Sequence, residues 1–453
     1  MLPHASSGRA LIHEGGARPA DVAPRYGRHP MGTLHTPLRI GGTTTVRNRL
    51  YRAPVLEGAG DGDDCAEVYA KHFVANAAAG VGLIVQGSAC IEAEGRTSPG
   101  MTRVHTRDRV MRLAPMVDAV HREGAAIWLQ AGHGGLYAME GWHQPYAGER
   151  TQPLRAPSAP PRWLSPVWRR TQLRPMTRDD VLAMAERYGE VAAWAREAGY
   201  DGIQLASSNA KLLDQFLSPL YNRRTDDFGG TVENRARVLE IIREAIGEHA
   251  GWDFTCTVKV PVGEKAPPGF PHTTFEDGLR IAELCEEWGF DSLTPVQVSV
   301  FPDTTLSRGG VPTSLWRNAG IRDRFRRAAP TPRERATLTA GYVLGGALSP
   351  YRPVWNRDEF CAVKRRAGVP VLAVGGIRDR DEVTAILDAG EADMVGIGRP
   401  FYAEPDLAAR ILGDDPDAGG LCRYSNLCVP AQMLGMKGVC YNPEVVRLRR
   451  TRT

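Results

Sequence analysis

The feature that most constrains this chain is an alternation: short apolar runs recur along it, and most are followed by a longer stretch with helical periodicity. The runs are residues 49–54 (RLYRAP), 82–86 (GLIVQ), 126–130 (AIWLQ), 202–206 (GIQLA), 255–261 (TCTVKVP), 291–296 (DSLTPV), 370–376 (PVLAVGG) and 392–398 (ADMVGIG). A strand buried on both faces reads as a continuous apolar run, and such strands belong to parallel sheets crossed over by helices. The stretch 178–199, RDDVLAMAERYGEVAAWAREAG, carries Ala, Leu and Val at intervals of three and four, as a covering helix should. Eight such strands predict an α/β fold of the closed (β/α)8 TIM-barrel type. Two connections are long, residues 136–176 and 297–356, and are expected as loop insertions at the C-terminal ends of the strands, where barrels vary their substrate contacts.

Composition excludes several function classes. A net charge of +4 against 56 basic and 52 acidic residues, with no basic stripe interleaved with aromatics, argues against a nucleic-acid partner. No run of about 18 apolar residues is present to cross a membrane, so a cytoplasmic protein acting on a small molecule is expected, with self-association left open. Eight cysteines spread over 453 residues make no disulfide framework and are expected to be reduced. Residues 1–33 lack an apolar period and read as a disordered extension; Met31 has the look of a native start, and an Arg-rich leader of this kind is alternatively a transit peptide. The expected organisation is this extension, a barrel over 34–413, and a cysteine-containing C-terminal extension over 414–453.

Chemistry gathers first at the last two strands. Each runs into a glycine turn and then a helical segment, so backbone N–H groups at Gly375, Gly376 and Gly398 can face an anion, with Arg399 adding charge. Barrels use this corner for phosphate; tight strand-to-helix turns alone would also account for the glycines.

The 28 residues 212–239, LLDQFLSPLYNRRTDDFGGTVENRARVL, fit no generic helix or strand. They resemble the signature of the old yellow enzyme family of flavin-dependent oxidoreductases, as found also in the barrel domains of 2,4-dienoyl-CoA reductase and trimethylamine dehydrogenase. The resemblance extends from about Leu34 to Asp406. It implies FMN as cofactor, with Ala53, Pro54, Val55 and Leu56 running beneath the flavin ring. The segment GLIVQGSACIEAEGR then contributes Ser88, and Gln130 in LQAGHGG reads the pyrimidine edge. Lys259 in TVKVP stands where the family usually has Arg beside flavin N1 and O2. An amide suits a ring edge of alternating N–H and C=O groups, and a cation there stabilises the negative charge of reduced flavin; an interior salt bridge is the alternative for Lys259. Leu56 departs from the Thr or Cys usual at its position, which bears on redox tuning. The charged centre, LYNRRTDDFGG, is expected to be a pinned structural turn.

The sharpest departure from the family pattern precedes this signature. Where relatives carry His-x-x-His/Asn-Gly-Tyr, this chain has Ala206, Ser207, Ser208, Asn209, Ala210 and Lys211. By the resemblance, the usual pair polarises a substrate carbonyl and the tyrosine protonates the adjacent carbon. Asn209 is the surviving donor. Lys211 stands in the tyrosine's place, as a proton donor, an anion-binding point charge or a solvated loop residue. Ser207 and Ser208 are replacement hydroxyls or, more in keeping with a tight turn, structural.

A C-terminal motif, Cys422-x2-Ser425-x2-Cys428-x11-Cys440, is similar to the four-cysteine iron–sulfur motif of larger relatives, with Ser425 replacing one ligand. Hard serine oxygen substitutes poorly for thiolate at iron, so a degenerate site without a cluster is expected, with zinc or a bare thiol turn as alternatives. Together these readings imply an FMN oxidoreductase that uses NADH or NADPH to reduce an activated C=C bond, or runs the reverse dehydrogenation, in a specialised substrate. The competing reading is an FMN-binding protein with an altered site, acting as an isomerase or as a non-catalytic ligand-binding flavoprotein.

Overall fold

The computed structural model describes residues 34–147, 152–159, 172–301, 307–413 and 420–452; the expected N-terminal extension lies outside them. All eight expected strands form: β1 (Leu50–Arg52), β2 (Leu83–Cys90), β3 (Ala126–Gly132), β4 (Gly202–Leu205), β5 (Thr255–Lys265), β6 (Ser292–Ser299), β7 (Leu372–Val374) and β8 (Met394–Ile397). They pair in parallel in the order β6-β5-β4-β3-β2-β1-β8-β7. A bridge between Leu293 and Val371 joins the two ends, with the Leu293 N–H donating to Pro370 O at 3.0 Å, and so closes the barrel. β3 and β4 are buried at every position, which is why they read as unbroken apolar runs.

Helices cover the outside: Cys65–Ala78, Ala114–Arg122, Arg178–Glu197, Val232–Ala250, Phe275–Glu287, Arg357–Lys364, Arg380–Asp388 and Leu407–Leu412. The helix Arg178–Glu197 starts at a capping box, in which Thr177 accepts from the Asp180 N–H and Asp180 accepts from the Thr177 N–H. It stops before Gly199, whose φ of 91° a side chain would resist.

An antiparallel hairpin, Leu38–Ile40 with Thr44–Val46, plugs one end of the barrel. Ile40 and Val46 pack on Tyr51, Leu83 and Trp128, and Thr44 Oγ1 accepts from Trp128 Nε1 at 2.8 Å and donates to Asp201 O at 2.8 Å. Thr43 adds contacts to Asp201 and Thr255 at the starts of β4 and β5, so the plug closes the N-terminal mouth. The C-terminal mouth is left for ligands.

The two long connections are not alike. Residues 136–176 hold short turns and a small parallel pair, Leu154–Ala156 with Leu173–Pro175; residues 148–151 and 160–171 lie outside the described residues. Within 297–356, three helices form, Ser314–Arg317, Ala319–Ala328 and Pro332–Leu348. Asn318 caps the second, and Thr331 with Glu334 makes a capping box for the third. The third helix buries none of its residues, so no apolar stripe announces it in the sequence. The Asn222–Gly230 turn is pinned as expected: Asn222 Nδ2 donates to Phe216 O and Phe228 O, both at 2.6 Å, and Arg224 pairs with Asp226.

Candidate active site

The C-terminal ends of the strands converge on one cavity that opens to solvent. All eleven positions expected to contact the cofactor line it, together with Asn209 and Lys211. β1 leaves the sheet through Ala53, whose N–H donates to Ile397 O at 2.9 Å, and Pro54–Leu56 then crosses the mouth. It lies so close on β2 that a Cβ on Gly87 would sit 1.7 Å from Val55 O; only glycine fits there. A bulge between Gln86 and Ala89 breaks the β2–β3 register beside Ser88. Leu56 O accepts from Tyr402 Oη at 2.5 Å.

On β3, Gln130 Nε2 donates to Gln204 Oε1 at 2.8 Å, and Gln204 Nε2 donates to Thr294 Oγ1 at 3.2 Å. This relay through β4 to β6 fixes which way the Gln130 amide faces. The Lys259 ammonium on β5 has no hydrogen bond or ion pair among the described residues, so an interior salt bridge does not account for it. Burial without a carboxylate neighbour lowers its pKa to about 8.

The glycine corner presents backbone donors to the cavity. Among the described residues the N–H groups of Gly375, Gly376, Gly398 and Arg399 find no acceptor, an arrangement that suits an anion. Gly375 and Gly376 have φ of 124° and 83°. A Cβ on Gly376 would approach Arg352 O to 2.6 Å. The Arg399 side chain is turned toward the C-terminal extension, donating to Asn426 Oδ1 and, at 2.7 Å, to Arg308 O.

The substrate-side loop follows β4. Ser207 is buried and donates to Lys259 O at 2.6 Å, so its hydroxyl is structural, whereas Ser208 lines the cavity. Asn209 and Ala210 have φ of 65° and 55°, left-handed values rare for residues other than glycine. Asp214 Oδ2 accepts the Ala210 N–H at 2.6 Å and Gln215 Nε2 donates to Ala210 O at 2.7 Å. Burial and the neighbouring Glu264 carboxylate push Asp214 well above the usual carboxylate range, opposed by Lys211.

Several lining residues were not anticipated. His133 is buried, accepts the Gly135 N–H on Nδ1 at 2.9 Å, and is lowered to about 4 by burial, so it is neutral at pH 7. Its place in LQAGHGG could have flagged it. A Cβ on Gly95 would lie 2.0 Å from its Nε2. The helix Cys428–Met433 supplies Val429, Gln432 and Met433 as a further wall, with Gln432 Nε2 buried and unpartnered. This wall is held by the Gly438 N–H donating to Glu57 O at 2.7 Å. Cys422, Cys428 and Cys440 sit near enough to influence one another, and burial pushes all three thiols up, Cys428 to about 12. Ser425 Oγ accepts from Asn442 Nδ2 at 3.2 Å. Among the described residues, no group of three or more His, Cys, Asp or Glu is placed to hold a metal ion.

The NADH:flavin oxidoreductase / NADH oxidase family matches residues 33–286 and 350–417. The chain belongs to this family. The unmatched stretch between the two matches contains the three helices of the 297–356 connection. N,N-dimethylglycine/sarcosine dehydrogenase of Chromohalobacter salexigens is 27% identical over 412 residues, covering 90% of this chain and 52% of that protein. NADH oxidase of Thermoanaerobacter brockii is 28% identical over 368 residues, covering 81% and 48%. The chain thus spans about half the length of these curated relatives. The old yellow enzyme homologue from Zymomonas mobilis superposes with a TM-score of 0.61 at 21% identity, covering 91% of this chain and 98% of that one, and shares the barrel fold.

Proposed function

We propose that this protein is an FMN-dependent oxidoreductase that uses NADH or NADPH to reduce an activated C=C bond in a small molecule. The observation that carries the reading is one cavity holding three complementary features: a corner of backbone N–H groups and an ammonium, neither partnered among the described residues, and an amide of fixed orientation. These fit the three faces of FMN. The amides of Gly375, Gly376, Gly398 and Arg399 would hold the phosphate, Lys259 would meet the electron-rich ring edge, and Gln130 would pair with the pyrimidine. Ala53–Leu56 and Ser88 complete the floor. When bound, FMN supplies a two-electron hydride carrier.

The chain's own residues do the rest. Asn209 Nδ2 is a donor for the substrate's activating group, where negative charge builds as the double bond is reduced. Lys259 stabilises negative charge at the cofactor edge. Neutral His133 braces the turn after β3 without adding charge to the cavity. No role falls to Cys422, Cys428 or Cys440 in this reading.

The test is anaerobic mixing of the flavin-loaded protein with NADH and with NADPH, followed by enones and enoates as reoxidants. Bleaching of the flavin and reoxidation by at least one activated alkene are expected. If neither nucleotide bleaches the flavin, nicotinamide-linked reduction is wrong; reoxidation by none of the alkenes removes C=C reduction.

A further inference from the structure

The 297–356 connection carries a surface that the cavity does not use. Within it, residues 316–335 hold seven arginines against Asp323 and Glu334, a surplus of five that exceeds the +4 of the whole chain. Arg322 and Arg335 donate to main-chain carbonyls, Trp316 O at 3.3 Å and Pro330 O at 2.6 Å. Arg317, Arg324, Arg326, Arg327 and Arg333 are exposed, with no ion pair among the described residues. The next sixteen residues, 336–351, carry no charge at all. The basic and the uncharged stretches both fall between the two family matches, apart from the last two residues.

The helix Pro332–Leu348 rests on a small core through Leu338 and Tyr342, the same core that holds Ile321 and Phe325 of the arginine-bearing helix Ala319–Ala328. On its outer side Thr337, Gly341, Leu344 and Leu348 follow one another at intervals of four and three, with Val343 alongside, and all are exposed. Leu344 and Leu348 are 59% and 67% exposed, more than any other large apolar side chain among the described residues. A Cβ on Gly341 would meet nothing within 4 Å. A solvated helix normally turns charge outward, as Arg178–Glu197 does with Arg178, Asp179, Glu186, Arg196 and Glu197. Here the outward face is apolar, and the charge beside it is of one sign.

A partner for this surface must be anionic and apolar at once. A second copy fails the first condition, because joining the surface to itself brings two surpluses of like charge together. A rigid protein groove would have to enclose a helix that buries none of its own residues, whereas a fluid interface closes around it from every open side. We propose that residues 314–348 dock this protein on the surface of an anionic phospholipid bilayer. The helix Pro332–Leu348 lies along the headgroup boundary with Val343, Leu344 and Leu348 toward the acyl chains, and the arginines meet lipid phosphates. Trp316, 46% exposed beside them, has the amphipathic ring that suits this boundary. The inference does not depend on the flavin reading.

The experiment is co-sedimentation of the flavin-loaded full chain with vesicles of phosphatidylcholine alone and of phosphatidylcholine with an equal part of phosphatidylglycerol. Affinity for the mixed vesicles should be higher by about tenfold or more and should fall as salt rises. Leu344→Ser with Leu348→Ser, and separately Arg326→Ala with Arg327→Ala, should each weaken that binding severalfold. Flavin content and unfolding midpoint should stay at wild type in both, since all four side chains are exposed. Equal affinity of the wild-type protein for the two vesicle types overturns the proposal. So does mixed-vesicle binding that the leucine pair leaves unchanged, which would place the contact elsewhere on the chain. A wild-type dimer in analytical ultracentrifugation that the leucine pair returns to monomer gives the face to a second copy instead. Poly-glutamate bound as tightly as the mixed vesicles gives it to an acidic protein.

Discussion

The two sides of the cavity are built by opposite means. The side proposed to hold FMN is made of backbone and strand ends: Ala53 continues the barrel ladder, Gln130 is fixed by a relay through β4 to β6, and the glycine corner offers main-chain N–H groups. The side proposed to meet the substrate is made of side chains on a strained turn that is held by two residues of the following helix. The first is tied into the sheet, and its departures from the family pattern, Leu56 and Lys259, are single side chains that leave the strands unchanged. The second is a local solution, where Ala206 and Lys211 depart from the pattern together.

That contrast can be broken experimentally. The largest effect is expected from Gly376→Val, because φ is 83° and a Cβ would lie 2.6 Å from Arg352 O. Flavin per chain should fall more than about tenfold and stability by roughly 2–3 kcal/mol, read from absorbance and denaturant unfolding. Wild-type flavin content would mean that the corner is only a turn.

Lys259→Met comes next. Lys259 has a lowered folded-state pKa of about 8, against about 10.4 for an unfolded lysine. Between these values the unfolded chain binds a proton that the native chain without flavin does not, so native stability rises with pH across that window. For the same reason the ammonium is lost as pH rises through about 8, and FMN affinity should weaken there. Lys259→Met should bind FMN more weakly and lack this pH dependence; a slope identical to wild type would place Lys259 away from the cofactor.

On the other side, Ala210→Gly relieves a φ of 55°. Stability should rise by about 0.5–1 kcal/mol while reoxidation by substrate slows severalfold, since Asn209 is no longer rigidly presented. Faster reoxidation would show that the strain does not serve the substrate step. The smallest effect is expected from Arg178→Ala, which breaks an exposed pair with Asp227 at 2.6 Å. Less than about 0.5 kcal/mol should be lost in denaturant unfolding.

The barrel was legible because strands buried on both faces cannot hide their composition. The expected stretches ran past the ladder mainly where a glycine or proline leaves it: 49–54 shortens to Leu50–Arg52 and 370–376 to Leu372–Val374. Within 297–356 the helix Pro332–Leu348 was not legible from apolar period, since none of its residues is buried, although the Thr331-Pro-Arg-Glu334 cap signal was present; Ala319–Ala328 does bury Ile321, Phe325 and Ala328 at helical spacing. Lining residues close to a strand end, such as Gln130 and Lys259, could be placed by motif. Val429, Gln432 and Met433 could not, because the segment that carries them docks on the β1 exit through Gly438 and Glu57, almost the whole barrel sequence away. Asp214 and Gln215 belong to the conspicuous signature, yet their work on Ala210 shows only in three dimensions.

The wall formed by Val429, Gln432 and Met433 separates two kinds of inheritance. It meets the cavity without taking part in the barrel's strand ladder, docked through Glu57 and Gly438. Substitutions there can reshape what the cavity admits while the sheet that holds the rest of the site is left untouched. Ligand choice in this protein can therefore drift at a different pace from its architecture.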